Sequence, residues 1–295
     1  MAITTLRDAT MIEFLGEVLQ YEFMQNALMA SCLVSIACGL IGSFIVINRM
    51  VFISGGIAHA AYGGIGLGYY FQFNPLWGAI AFSLGISLAM GWVARNFQQR
   101  SDTIIGVMWA FGMAIGVMLI DATQGYKADV SSYLFGSILT VPRQDLWMMA
   151  GLDGLIIVVL LLFYKEFLAI SFDPIYATTR NLPVDALYLA LVALISLTVV
   201  MVMQLVGLIM VIALLTIPAA IAGQYVRDVP QMMGVATLLS FIFCSLGLAL
   251  SYGFNLSSGA TIILVASVSY LLSLGIKPHL AKVYRQHQVT ENQEA

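Results

Sequence analysis

The sequence is poor in charged residues. Only 9% of its 295 residues are Asp, Glu, Lys or Arg, whereas 61% are hydrophobic and the mean hydropathy is +0.95. A soluble domain carries roughly 25% charged residues, so this chain could not cover a surface that faces water. Its apolar runs continue over about 20 residues without alternation, which argues against a membrane barrel. The composition therefore predicts an all-α, polytopic bundle of transmembrane helices.

Cysteine and lysine are also scarce. The three cysteines lie in apolar runs and form no CxxC pair, so neither a disulfide scaffold nor a zinc knuckle is indicated. None of the four lysines follows a glycine, which excludes a GxxxxGK[ST] phosphate loop. The HExxH and GxSxG patterns of hydrolases are missing too. We predict that the chain is not an enzyme, holds no permanent cofactor and has no nucleic-acid partner; any ATPase that drives it must be another chain.

Apolar runs predict about nine spans. They cover residues 27–47, 54–72, 76–94, 103–121, 146–164, 185–203, 205–222, 232–252 and 258–275. The sixth and seventh runs are hard to separate because residues 185–222 are apolar almost throughout. Two short helices or one long helix with a break both fit this stretch, since Pro218 loosens the helical hydrogen-bond ladder.

The basic residues are concentrated in the loops that follow the odd-numbered spans: Arg49, Arg95, Arg100, Lys165, Arg180, Arg227, Lys277, Lys282 and Arg285. Cytoplasmic loops carry such an excess, so the amino terminus is predicted outside and the carboxyl terminus in the cytoplasm. Residues 1–25 are predicted to hold an interfacial amphipathic helix that lies along the membrane lipid. Residues 26–276 form one transmembrane domain, and 277–295 form a cytoplasmic polar tail.

The predicted inner loop at 165–184 contains a short helix. Asp173 is a capping residue, Pro174 suits the first helical turn, and Pro183 ends the helix. With Phe172, Ile175 and Tyr176 exposed, the helix would form a docking element for a partner protein. A solvated connector without a partner is the alternative.

A glycine-rich stretch, residues 54–71, contains the histidine His59. Residues four apart share a helix face, so Gly55, His59 and Gly63 fall on one stripe, and Gly64 falls on the next. Small residues at this spacing let another helix approach closely. The open space around the imidazole would admit either a ligand or a neighbouring helix.

Ionisable residues inside spans are costly and therefore candidates for function. His59 is one candidate, although a buried, hydrogen-bonded structural histidine is the alternative. Asp121 and Asp153 lie near predicted outer ends and are candidates for a translocation path. Asp102 and Asp185 each open a helix, where a role as cap or dipole partner is favoured.

Several stretches together resemble one family, and they occur in the same order as in its members. They are Arg49–Ile65, Ser101–Gly106, Tyr133–Leu139, Ala169–Ala177, Val206–Ala220 and Leu250–Ala260. The family comprises the membrane permease subunits of ATP-binding-cassette importers of zinc, manganese and iron. The resemblance extends over roughly residues 25–275.

This resemblance implies a homodimeric permease in the bacterial cytoplasmic membrane, with the path of a divalent metal ion at or near the dimer interface. Two ATPase subunits would dock from the cytoplasm, and an extracytoplasmic metal-binding protein would deliver the ion. His59 would lie on the path, and Val206–Ala222, with Pro218, would line it or carry a gate. The stretch that matches the family's coupling helix contains Phe172, Asp173, Pro174, Tyr176 and Ala177.

The sequence departs from the family pattern at two positions. Members often carry an aspartate four residues before the histidine, where this chain has Gly55, and a glycine where it has Asn181. Without the carboxylate, each protomer offers only His59 on that face, so an importer of a metal chelate or haem is the alternative. An ion-coupled secondary transporter would need more charges in mid-span, where only His59 is a candidate.

Overall fold

The computed structural model describes residues 21–97, 100–123, 141–208 and 211–275, together with Gly136 and Ile138. Within these residues the chain is helical and contains no strand. The helices are α1 (Glu22–Ile47), α2 (Val51–Tyr70), α3 (Pro75–Asn96), α4 (Ser101–Ala122), α5 (Arg143–Leu162), α6 (Tyr164–Phe172), α7 (Pro174–Thr179), α8 (Val184–Val206), α9 (Val211–Tyr225), α10 (Val229–Phe254) and α11 (Ser258–Gly275).

Parts of three sequence predictions lie outside the described residues. These are the interfacial helix up to residue 20, most of the Tyr133–Leu139 stretch, and the polar tail 277–295. The remainder of the predicted interfacial segment continues into the bundle, because α1 begins at Glu22.

Eight of the described helices are long and apolar enough to cross a membrane, which confirms the predicted all-α membrane bundle. The seventh predicted run, 205–222, gives a shorter helix. The helix α9 has 15 residues and is about 22 Å long at 1.5 Å per residue, less than the ~30 Å of a hydrocarbon core. The chain turns at Gly207, whose φ is 79°, so residues 185–222 form one long helix and one short one. Pro218 lies inside α9 rather than at the break.

The glycine-rich helix α2 is the most enclosed of the spans and packs against α3, α4, α8 and α9. A β-carbon at Gly64 would meet the backbone of Gly78 and Ala79 on α3. A β-carbon at Gly63 would lie 2.8 Å from the Gly112 carbonyl oxygen on α4. Close backbone approach of this kind explains why small residues recur along both stripes of α2.

Hydrogen bonds and ion pairs group the helix termini at two ends of the bundle. At one end, which we call the α7 end, Asn48 Nδ2 after α1 donates to Ser171 Oγ of α6 at 2.9 Å, and Arg95 of α3 pairs with Asp185 of α8. At the opposite end, Arg143 Nε of α5 lies 3.0 Å from Glu22 Oε1 of α1.

Candidate functional site

His59 is the ninth of the 20 residues of α2 and is half-buried. Its ring stacks on the indole of Trp109 from α4, with centroids 4.5 Å apart and an interplanar angle of 18°. The same indole meets Phe52 edge-on at 6.2 Å. The imidazole is thus fixed against one aromatic surface rather than enclosed on all sides.

The Nδ1 atom of His59 is buried and has no hydrogen-bond partner within the described part of the chain. Buried polar atoms are nearly always paired, and an unpaired one costs about 1–3 kcal/mol. An imidazole nitrogen without a protein partner is free to bind a metal ion. Within the described residues, Nδ1 of His59 therefore lacks the hydrogen bond that the structural alternative requires.

Gly55, one turn from His59, faces the short helix α9. A β-carbon at this position would lie 2.7 Å from Cδ1 of Ile212. The terminal methyl group of Ile212 thus packs against Gly55, and a side chain at position 55 would require that methyl group to shift. The departure from the family pattern at Gly55 has a packing counterpart on the neighbouring helix.

The two candidate aspartates lie in different settings. Asp121 is exposed in the last turn of α4. Asp153 is the eleventh of the 20 residues of α5, in mid-helix rather than near an end. The main contacts of α5 are with α1, α6 and α8, whereas those of α2 are with α3, α4, α8 and α9. The structure therefore does not bring Asp153 onto the α2 face that carries His59.

No group of three or more His, Cys, Asp or Glu side chains that could hold a metal ion occurs among the residues that the structure describes. A stable structural zinc site needs four protein ligands. Within those residues, the protomer offers His59 on this face without further protein ligands. The arrangement suits transient contact with a cation better than permanent storage.

The helix α7 begins as the sequence predicts, but it ends at Thr179. The prediction that Pro183 ends it was wrong, because Pro183 instead precedes the first residue of α8. The Oδ1 atom of Asp173 accepts a hydrogen bond from the Tyr176 amide at 2.8 Å, and Pro174 occupies the first turn. Three apolar side chains project into the open with exposures of 66% for Phe172, 78% for Ile175 and 54% for Tyr176. Ala177 is buried and fixes the other side of the helix.

The chain leaves α7 through Asn181, whose φ is 56°. Asparagine adopts this left-handed geometry more readily than other residues with a side chain, so it replaces glycine here without loss of the turn. The Leu182 amide then donates to the Ala177 carbonyl oxygen at 3.1 Å. These contacts define the turn by which the chain leaves α7.

Shallow pockets flank α7 on both sides. One, of about 430 Å³, is lined by Arg95, Pro174, Ile175, Thr178, Thr179 and Val184. The other, of about 340 Å³, is lined by Lys165, Glu166, Ala169, Tyr176, Arg180 and Leu182. A projecting apolar helix between two grooves with polar rims is a surface suited to a protein partner.

One contact beside α7 was not predicted from the sequence. Asp185 lies in the first turn of α8 without capping it, and its Oδ1 accepts from Arg95 Nε at 2.8 Å. The Arg95 guanidinium also lies 5.5 Å from the ring centre of Tyr188. The only signal in the sequence was that both charges fall in loops predicted on one side of the membrane.

Comparisons with known proteins give the family and the fold of the chain. Residues 20–277 match the model of the ABC 3 transport family. The chain is 79% identical over 277 residues to a Synechocystis membrane protein, slr2045, covering 94% of this chain and 99% of the relative. It is 36% identical over 265 residues to the manganese transport system membrane protein MntC of Listeria monocytogenes, covering 90% and 94%. The solved structure of PsaBC from Streptococcus pneumoniae superposes with a TM-score of 0.80 at 31% identity, covering 90% of this chain and 95% of that one.

Proposed function

Since the chain belongs to the ABC 3 transport family and is a multi-span permease subunit of a bacterial metal importer whose ATPase is a separate chain, we propose that its cargo is a divalent metal ion. Manganese is the first candidate for this ion, and His59 is the residue that the ion is proposed to pass. The unpaired imidazole nitrogen in the enclosed helix α2 is the observation that carries this proposal. The name of the 36% identical relative supports manganese over zinc or iron.

The proposed path uses two copies of the chain. One protomer supplies a single imidazole on the α2 face, and a second copy with water would complete the coordination of the ion. A transit site must release its ion, so binding should be weak. Asp121, exposed at the end of α4, is a proposed contact at the outer mouth, and Pro218 is a proposed element of a gate on α9.

We further propose that the α7 end faces the cytoplasm and that α7 docks the ATPase. Arg49, Arg95, Arg100, Lys165 and Arg180 flank the helix termini at this end, in keeping with the positive-inside rule. Closure of two ATPase subunits on nucleotide would move α7 and switch the path between outward and inward access. An extracytoplasmic metal-binding protein would deliver the ion at the opposite end.

The alternative cargo, a metal chelate or haem, would need a wide path lined by small residues. Gly64 and Gly66 of α2 are instead in close contact with the backbones of α3 and α4. They serve helix packing and leave no room for a large ligand on those faces. A bare ion therefore fits the described packing better than a chelate.

His59→Ala tests the proposed path. We expect uptake of radioactive manganese by cells that also express the ATPase and the binding protein to fall by about tenfold or more, the scale seen when metal coordination is disturbed. His279→Ala, which removes a histidine from the predicted tail, is the matched control and should leave uptake unchanged. Normal uptake by His59→Ala at equal membrane levels would remove His59 from the path.

The double change Phe172→Ala/Asp173→Ala tests the docking surface. It removes an exposed aromatic ring and the cap of α7, so we expect the permease to insert normally and to lose the ATPase in a pull-down. Leu161→Ala/Leu162→Ala is the matched control, because both leucines are exposed on α5 outside α7. Equal ATPase recovery from both double variants would contradict the docking role.

A further inference from the structure

Asp153 is a carboxyl group buried inside the bundle. Its side chain lies at mid-length of α5 and the residue is 3% exposed. Neither Oδ1 nor Oδ2 has a hydrogen-bond partner within the residues that the structure describes. An ionised carboxylate without a partner in apolar surroundings is among the most costly groups that a protein can bury.

The helices around Asp153 offer no positive charge near its depth. In their described ranges α1, α8 and α10 contain no Lys, Arg or His. Arg143 begins α5, ten residues away, and is paired with Glu22. Lys165 of α6 lies twelve residues beyond Asp153, at the α7 end. No basic side chain is therefore placed to neutralise the carboxylate in the middle of the span.

The polar groups at the depth of Asp153 in the bundle are thiols and hydroxyls. Cys38 of α1 lies within electrostatic reach of both Asp153 and Cys244 of α10, and the Ser35 side chain hydrogen-bonds to Cys244. The titratable groups on the other packed helices lie at the α7 end: Asp185 and Tyr188 on α8, and Tyr164, Lys165 and Glu166 on α6. No set of three metal-ligating side chains is formed in the described part of the bundle. The ligand that fits a lone buried carboxyl group is thus a proton rather than a metal ion.

We propose that Asp153 is a proton-binding site in the seam between α1 and α5, separate from the path at His59: it is the neutral acid while the seam is closed, and it releases its proton to water when the seam opens. On opening, the O–H bond breaks and a water molecule that has entered the seam takes the proton. The carboxylate that remains is hydrated only in the open form. Proton binding therefore stabilises the closed seam.

The sign of the pH dependence follows from this assignment. The closed form holds a proton that the open form gives up above about pH 4, where an exposed aspartate ionises. The free energy that favours the closed seam is therefore largest below this pH, and it decreases as the pH rises. Each pH unit lowers the ratio of closed to open seam by up to about tenfold, until the closed form also loses its proton.

Cys38 provides a reporter that the chain already contains. In a Cys32→Ser/Cys244→Ser background, the rate at which N-ethylmaleimide labels Cys38 in membranes measures how often the seam opens. The matched control is the same background with Asp153→Asn, which cannot ionise. The intrinsic thiol chemistry is common to both proteins. The labelling rate of the protein with Asp153 divided by that of the Asp153→Asn protein therefore isolates the effect of Asp153.

We expect this ratio to increase severalfold or more between pH 6 and pH 8. A direct effect of an ionised Asp153 would disfavour the Cys38 thiolate and lower the ratio, so an increase cannot arise from that source. A ratio that stays constant or falls with pH would overturn the proposal.

Thermal unfolding of the purified full chain gives a second measurement. The midpoint of the wild type should fall relative to Asp153→Asn as pH rises from 5 to 8, and Asp153→Leu should behave like Asp153→Asn. Parallel curves would overturn the proposal. A midpoint that manganese or zinc raises in the wild type but not in Asp153→Asn would also overturn it, because it would identify a metal site.

Discussion

The contact between α2 and α3 at Gly64 gives a prediction whose sign and size can be worked out. A β-carbon at this position would lie 2.7 Å from the Ala79 Cα atom and 2.6 Å from the Gly78 carbonyl carbon, whereas carbon atoms prefer about 3.5–4.0 Å. Because both obstacles are backbone, no rotamer change relieves them and α3 must move away by about 1 Å. Overpacking of this kind costs about 1–3 kcal/mol, and alanine recovers up to about 1 kcal/mol of helix propensity. We expect Gly64→Ala to lower the free energy of unfolding by about 1–2 kcal/mol.

The same substitution at Gly85 is the matched control. A β-carbon there, on α3, meets no atom within 4 Å, so Gly85→Ala gains helix propensity without a clash. At about 2–4 °C per kcal/mol, the midpoint of thermal unfolding in detergent should fall by roughly 2–8 °C for Gly64→Ala and stay level or rise for Gly85→Ala. If the thermal midpoints of both variants shift in the same direction, the close approach of α2 and α3 does not limit the stability of the bundle.

Two further predictions concern single contacts. Asn181→Gly should leave the thermal midpoint unchanged and Asn181→Val should lower it, since a residue with a branched side chain costs about 1–2 kcal/mol in left-handed geometry. Equal midpoints for the two variants would contradict backbone strain at this position. Arg95→Asp should reduce ATP-driven uptake, and the swap Arg95→Asp/Asp185→Arg should restore it if the pair joins α3 to α8, whereas a swap no better than the single change would show that the pair is dispensable.

The spans and the α7 motif could be predicted because their signals are local. An apolar run of span length needs no tertiary information to be recognised, and the Asp-Pro pair at 173–174 caps a helix through atoms within one turn. The same local logic predicted the small-residue face of α2. These parts of the fold follow from the sequence because the interactions that define them lie within a few residues.

The break within residues 185–222 could not be placed in the same way. Both segments are apolar, so hydropathy does not show where a helix ends, and Pro218 suggested a break that the structure does not have. The chain turns instead at Gly207, where glycine allows a positive φ. Whether a glycine in an apolar run is used for a turn or for packing depends on the helices around it. The pairing of Arg95 with Asp185 depends on tertiary structure too, because the two residues are 90 positions apart.

The candidate site shows how packing and coordination constrain one another on a single helix face. Gly55 lets the terminal methyl group of Ile212 lie against α2, so the face that carries His59 is used for the contact with α9. The helix α9 is the short helix that does not reach across the membrane on its own. Its position therefore depends on neighbours such as α2. On the proposed path, an ion at His59 would complete its coordination with water or with a second copy of the chain, and such a shell exchanges ligands faster than one built from two fixed side chains. Glycine at position 55 would thus favour passage over retention of the ion.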